Sequence, residues 1–214
     1  MSGMGTIFAV GDIHGTFDKL TLMLDRLVID WAQDTLLFIG DYIDRGPQPF
    51  EVVERLVELR KQHPSTVFIR GNHEDMLLNY LAGRDPFLYL ANGGQSTLDA
   101  YATRRRDTGA PLIPEAHIDF FESTVLYHQT EMFIFVHAGL RPKVPLRKQL
   151  TEDLLWIRED FIRSSYDFGR VVVFGHTPFS EPFVGRNKIG IDTGAVYGNK
   201  LTCVELPSMV FHQV

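Results

Sequence analysis

Five stretches of the chain set metal-ligating or proton-carrying side chains directly after an apolar run. "FAVGDIHG" ends in Asp12 and His14, "LFIGDYIDRG" in Asp41, Asp44 and Arg45, and "VFIRGNHED" in Asn72, His73, Glu74 and Asp75. "FIFVHAG" ends in His137 and "VVVFGHT" in His176, and in four of the five a glycine comes just before the first polar group. Apolar runs of this length are strand candidates, and in α/β sheets ligands gather outside the carboxyl ends of the strands. If the five strands are neighbours, their polar tips meet at one edge. Two carboxylates ~4 Å apart repel by roughly 4 kcal/mol at an effective dielectric of about 20, and a divalent cation reverses that sign. The mixture of Asp, Asn and His suits borderline metals such as manganese, iron or zinc. Asp12 and His14, two apart on an extended segment, can point the same way and grip one ion. A lone Asp-x-His is usually a polar loop. Its recurrence at five strand ends is what argues for a metal site. His63, His117, His128 and His212 lack such a context and read as surface or packing residues.

The elements that must position these groups alternate in the first third. "TIFAV" (6–10), "TLLFI" (35–39) and "TVFIR" (66–70) are strand runs. Between them Phe17, Leu20, Leu24, Leu27 and Val28 recur at helical spacing, and "FEVVERLVELRKQH" (50–63) is an amphipathic helix with basic residues in its last turn. "HEDMLLNYLAG" (73–83) is a helix ending at glycine. Such βαβαβα alternation points to parallel strands with helical crossovers. Residues 86–123, broken by "NGG" and "TGAP", are helical and loop-like and form a candidate cap or insertion. Afterwards "TVLYHQ" and "MFIFVHAG" form a hairpin around Thr130 and Glu131. "TEDLLWIREDFIR" (151–163) is a helix with a half-formed capping box, Thr151 being followed by Leu154 rather than Glu. "RVVVFGHT", "KIGIDTG", "KLTCVEL" and "MVFHQV" read as antiparallel strands. The expectation is an α/β fold in one domain over 1–214, with a β-rich second half.

The bulk numbers bound the class. With 214 residues, 44 % hydrophobic and 22 % charged, the chain can bury a sizeable core as one domain or two. A formal net charge of −6 argues against a nucleic-acid partner. The one basic run, Arg104 to Arg106, reads as a solvated helix end, with steering of an anionic substrate as the alternative. The single cysteine, Cys203, excludes an internal disulfide framework, suits a reducing compartment and reads as a small core residue. No apolar run approaches the ~20 residues that span a bilayer, and "MSGMGTIFAVGD" has no secretory pattern. A cytoplasmic protein without a membrane partner is expected.

"GDIHG", "GDYIDRG", "GNHE", the later "HAG" and the final "GHT" resemble the ordered motifs of the PPP-type serine/threonine phosphatases, within the calcineurin-like metallophosphoesterases. The match runs from residue 11 to about 198, and "NGG", "LLWIRE" and "IDTGAVYGN" look like the compact bacterial and phage protein phosphatases. The resemblance implies a β-sandwich flanked by helices and two divalent ions, manganese first, with iron or zinc as alternatives. Carried over, Asp12 and His14 would hold the first ion, Asp41 would bridge both, and Asn72, His137 and His176 would hold the second. His73 would be the general acid oriented by Asp44, and Arg45 and Arg158 would clamp phosphate oxygens. Arg158 rests on "WIR" alone, and Tyr197 aligns loosely with a tyrosine of an active-site loop. "HAG" lacks the second glycine common in the family, and the longer C-terminal parts of eukaryotic relatives are missing, so no regulatory subunit is indicated. The implied activity is hydrolysis of phosphoserine or phosphothreonine in a phosphoprotein or phosphopeptide, by direct attack of a hydroxide shared by the metals. The rival is symmetrical cleavage of diadenosine tetraphosphate on the same scaffold. A metal-stabilised binding module is disfavoured, because His73, Asp44 and Arg45 have no use in mere coordination.

Overall fold

Side-chain alternation along the strands decides how the sheets stack. In β1 (Ile7–Val10), Ile7 and Ala9 belong to one buried cluster and Phe8 and Val10 to another. The same split recurs in β5 (Phe133–Val136), where Phe133 and Phe135 face one cluster and Ile134 and Val136 a third. A strand whose two faces are both buried must lie in an interior layer. The computed structural model, which describes residues 5–105, 107 and 109–214, has that form.

The first sheet runs β10 (Val210–Gln213), β9 (Thr202–Leu206), β1, β2 (Thr35–Phe38), β3 (Val67–Phe68). The second runs β4 (Tyr127–Gln129), β5, β6 (Val171–Phe174), β8 (Lys188–Gly190), β7 (Phe183–Val184). Ile7, Ala9, Leu37 and Ile39 meet Phe133, Phe135, Val173 and Ile189 in the layer between the sheets. The outer face of the first sheet is covered by α1 (Phe17–Arg26), α2 (Pro49–Gln62) and α3 (Asn72–Leu81). Three helices within 86–123, α4 (Pro86–Ala91), α5 (Gln95–Arg104) and α6 (Glu115–Glu122), contribute Tyr89, Tyr101 and Phe120 to that same cluster. The outer face of the second sheet packs on Leu154 of α7 (Thr151–Trp156) and Phe161 of α8 (Glu159–Ile162).

Three expectations about these elements need correction or completion. β1, β2 and β3 are parallel, as the alternation predicts, and β9 and β10 are antiparallel to their neighbours. β5, β6 and β8, however, are parallel to one another, with antiparallel pairing only at the edges, through β4 and β7. The connection from β5 to β6 carries α7 and α8, and such a helical crossover returns the chain in the same direction. The helix expected over 151–163 is two helices. Arg158, with φ −128° and ψ −101°, breaks it, and the N-cap is Leu150, with Thr151 the first helical residue. Of the basic run, Arg104 and Arg105 are exposed, and Arg104 pairs with Glu51; Arg106 lies outside the described residues. Cys203 is fully buried in β9.

Parallel packing brings the carboxyl ends of β1, β2, β3, β5 and β6 to one rim. Each of the five polar stretches leaves its strand there.

Candidate metal centre

Backbone geometry at the rim is unusual. His14, Asp41, Asp44, Arg45 and His176 all have φ between 46° and 69°, the left-handed region. Each such residue costs roughly 1–3 kcal/mol and persists only where its surroundings over-determine it. Here Glu74 does much of that. Its carboxylate accepts the backbone N–H groups of Asp41 (2.9 Å), Tyr42 (2.8 Å) and Gly71 (2.9 Å), tying the β2 loop to the start of α3. Gly71 has to be glycine, because a Cβ there would run into Asp41 Oδ1.

Two clusters of ligand atoms result, and Asp41 belongs to both. One is His14, Asp41 and His73; the other is Asp41, His137 and His176; within each, the ligand atoms lie within 4.8 Å of one another. His14 Nδ1 lies 2.8 Å from the Ile43 carbonyl and His137 Nδ1 3.1 Å from the Ile39 carbonyl. A carbonyl only accepts, so both Nδ1 atoms carry the hydrogen and both Nε2 lone pairs face inward. His14 Nε2 then faces Asp41 Oδ2 at 3.3 Å. His137 Nε2 faces Asp41 Oδ1 at 3.4 Å and Asn72 Oδ1 at 2.9 Å, and His176 Nδ1 meets the same Asn72 oxygen at 2.9 Å. His14 Nε2 and His137 Nε2 thus meet acceptor oxygens with no hydrogen between them, and such pairs repel. A divalent cation is the partner that such a donor set fits.

Other atoms point the same way. Asp12 Oδ1, His73 Nε2 and His176 Nε2 are buried without a hydrogen-bond partner. Asp12 Oδ2 accepts the His176 backbone N–H at 3.0 Å, and a Cβ on Gly175 would collide with Asp12 Oδ1. Burial, together with Asp192 and Asp41, pushes the Asp12 carboxyl well above its ordinary range. Burial alone would raise Asp41 too, but the neighbouring imidazoles, His137 first, gain their charge before Asp41 takes up its proton as pH falls, and that charge holds it well below. Burial pushes His137 down to about 4 and His176 down as well, so both are neutral and free to ligate. Crowded carboxylates beside neutral imidazoles need a positive charge, and the rim supplies a cradle for it.

His73 of the first cluster also pairs with Asp44. His73 Nδ1 is 2.6 Å from Asp44 Oδ2, both side chains are fully buried, and His73 Nε2 sits 4.0 Å from Asp41 Oδ2. Arg45 is exposed, with Nη1 donating to His14 Nε2 at 2.9 Å and its guanidinium 6.0 Å from the exposed Tyr197 ring. Arg158 donates to the His176 carbonyl at 3.1 Å and to Thr177 Oγ1 at 3.2 Å. Thus Asp12, His14, Asp41, Asn72, His137, His176, His73, Asp44, Arg45 and Arg158 all reach one rim. By distance, His73 joins the first cluster, where Asp12 had been expected. Trp156 packs edge-on to His176, with ring centroids 5.8 Å apart.

Sequence reasoning missed three supports. Glu74 is one of the polar residues that end "VFIRGNHED", and its service to three backbone amides has no signature beyond its place in "GNHE". Asp192, buried near Asp12, follows a strand run in "IDTG" with no ligand pattern of its own; it accepts the Gly194 N–H at 2.9 Å. Tyr89 and Thr97 bond the second oxygen of Asp44, at 2.9 and 2.6 Å, from a segment with no ligand pattern. The remaining four histidines lie outside the rim: His63 stacks on Trp31, His117 is buried against Tyr101, His128 packs against Phe135, and His212 pairs with Glu205.

A sandwich of two mixed sheets whose strand ends carry such a centre defines the metallophosphoesterases. The calcineurin-like phosphoesterase family model matches residues 5–203, and the chain belongs to that family. It is a metal-dependent phosphoesterase. Among its relatives is an asymmetrical bis(5'-nucleosyl)-tetraphosphatase, PrpE, of Bacillus cereus, 30 % identical over 225 residues that cover 94 % of this chain and 90 % of the relative. A candidate diadenosine tetraphosphatase superposes with a TM-score of 0.75 at 22 % identity, covering 100 % of this chain and 94 % of that one. A serine/threonine phosphatase from Saccharomyces cerevisiae superposes with a TM-score of 0.70 at 18 % identity, covering 99 % and 80 %. Both structural likenesses speak to the fold. Among the described residues no helix is long and apolar enough to cross a membrane.

Proposed function

We propose that this chain hydrolyses a dinucleoside tetraphosphate asymmetrically, into a nucleoside triphosphate and a nucleoside monophosphate. The observation that carries the chemistry is buried Asp41, whose two oxygens face His14 Nε2 and His137 Nε2, beside the His73–Asp44 pair. The substrate class is supported by the PrpE relative, whose likeness extends over 94 % of this chain. That relative's mode of cleavage favours the asymmetrical reaction over the symmetrical one expected as a rival.

Asp12, His14 and Asp41 would hold one ion, and Asp41, Asn72, His137 and His176 the other. When bound, the two ions supply Lewis-acid polarisation of the phosphoryl group and activation of a water for in-line attack. Arg45 and Arg158 flank the rim from opposite loops, and their planar forks suit the equatorial oxygens of the transferring group. His73, held through Nδ1, turns Nε2 toward the rim, where it can hand a proton to the departing oxygen.

A second reading, removal of phosphate from phosphoserine or phosphothreonine, is favoured by that same pair. A serine or threonine alkoxide leaves poorly and needs a proton, whereas a nucleotide phosphate leaves with little help. The test is turnover of diadenosine tetraphosphate and a phosphoserine peptide, side by side, on metal-stripped protein refilled with manganese, with nucleotide products separated. The reading expects ATP and AMP in equal amounts, and a higher kcat/KM on the nucleotide. Two ADP per substrate, or turnover of the peptide alone, would overturn it.

A further inference from the structure

We infer that Tyr89 and Thr97, from the helical segment after "GNHE", are positioning residues for the His73–Asp44 pair, so that the proton donor is a unit of four side chains. The inference rests on the reading of His73 as the general acid.

Asp44 is fully buried, and its carboxylate has no slack. Oδ2 is bonded to His73 Nδ1 at 2.6 Å. Oδ1 accepts the Tyr89 hydroxyl at 2.9 Å and the Thr97 hydroxyl at 2.6 Å. The Thr97 oxygen also accepts the backbone N–H of Asp44 at 3.0 Å. One hydroxyl therefore fixes both ends of the same residue, main chain and carboxylate, where φ is 69° and Asp44 has every reason to relax. Tyr89 and Thr97 are themselves fully buried. The Tyr89 ring packs on Tyr80 at 5.2 Å and against Gly94, where a Cβ would lie 2.6 Å from the ring. That close approach is why "NGG" cannot carry a side chain at its second glycine. Gly93 meanwhile accepts the Arg45 N–H at 3.3 Å. Helices α4 and α5 thus brace the acid support and the arginine together.

The function of the brace follows from the proton's path. As the phosphorus–oxygen bond breaks, its electron pair stays on the departing oxygen, and the Nε2 proton of His73 moves to that oxygen. The water oxygen forms the new bond to phosphorus and loses a proton to solvent, and His73 takes one back from solvent to restore the starting state. Transfer is efficient only if Nε2 is held within hydrogen-bond reach of the leaving atom. Among the described residues the His73 ring is hydrogen-bonded by Asp44, with His14 packed against it edge-on at 4.6 Å, and Asp44 is aimed by Tyr89 and Thr97.

A purely structural role predicts equal losses on all substrates. A positioning role predicts losses that grow as the leaving group worsens. The experiment measures kcat on 4-nitrophenyl phosphate and on phenyl phosphate, which differ in the leaving group alone, for metal-loaded Tyr89→Phe, Thr97→Val, the double variant and His73→Asn. The double variant should lose more on phenyl phosphate than on 4-nitrophenyl phosphate, by about tenfold, as befits a lost bond to a charged group. Thr97→Ser should restore most of the difference. Equal losses on both esters, or none, would overturn the inference while a steep dependence for His73→Asn leaves the acid intact. Equal losses for His73→Asn as well would remove the acid assignment itself. If the double variant does not fold, Thr97→Val against Thr97→Ser makes the same comparison.

Discussion

Glu74 shows how a residue can govern a site without touching substrate. Its two oxygens satisfy three buried backbone donors, those of Asp41, Tyr42 and Gly71, and so hold Asp41 in the left-handed conformation that lets it face both clusters. Glu74→Gln keeps one acceptor oxygen and turns the other position into a donor facing N–H groups. At least one buried amide loses its partner, at a cost of roughly 1–3 kcal/mol. Urea denaturation of metal-free protein should move its midpoint down accordingly; an unchanged midpoint would mean that the loop holds itself. At this scale the sequence is legible where residue type alone implies chemistry. Asp12, His14, Asp41, Asn72, His137 and His176 stand out because carboxylates, an amide and imidazoles recur at strand ends, and their assignment as a ligand set is what the resemblance of their motifs to a known family implies. Tyr89 and Thr97 do not stand out, because a buried tyrosine and a buried threonine look like packing until their hydroxyls are seen on Asp44.

Among the elements, α2, α5 and α6 meet at His117. Its Nδ1 lies 2.7 Å from the Tyr101 hydroxyl and its Nε2 2.8 Å from Glu54. Burial lowers the His117 pKa from its ordinary value, although Glu54 pulls the other way. A depressed folded value means that the unfolded chain binds a proton the folded chain resists. The contribution is therefore full above the ordinary histidine pKa of about 6.5 and is lost as pH falls below it. For metal-free protein the unfolding midpoint should drop between about pH 7.5 and 5.5, and His117→Gln should flatten that slope. An unaltered slope would place the acid sensitivity elsewhere. The regular elements were legible because their periods are: strands β1 and β2 and helices α2 and α3 fall within a residue or two of the apolar pattern. The division of 151–163 into α7 and α8 was not, since "LLWIRED" has no glycine or proline. The break at Arg158 reflects where its side chain must go, beside His176, rather than local propensity.

Across the whole molecule, two sheets with parallel central strands bring five loops to one rim. The loops carry carboxylates that destabilise each other until a cation joins them. Ion binding should therefore stabilise the fold. At an ion concentration about a hundred times Kd the gain is about 2.7 kcal/mol, which for a chain of this size raises Tm by about 5–10 °C. A thermal melt of stripped protein with and without manganese reads this directly, and an unchanged Tm would contradict a centre built from this rim. Pairing across the second sheet was the hardest feature to foresee. Strand runs such as "VVVF" and "KIG" carry no mark of direction; the crossover through α7 and α8 sets β5 and β6 parallel, and the connection that carries β7 does the same for β6 and β8.

The most direct measurement is the ion content of the purified protein and of Asp41→Asn, by elemental analysis after equilibration with manganese and removal of free metal. Asp41 offers Oδ2 to the first cluster and Oδ1 to the second, so the parent should hold two ions per chain and the variant fewer than one. Retention of two ions by Asp41→Asn would contradict the shared centre and, with it, the chemistry assigned to the rim.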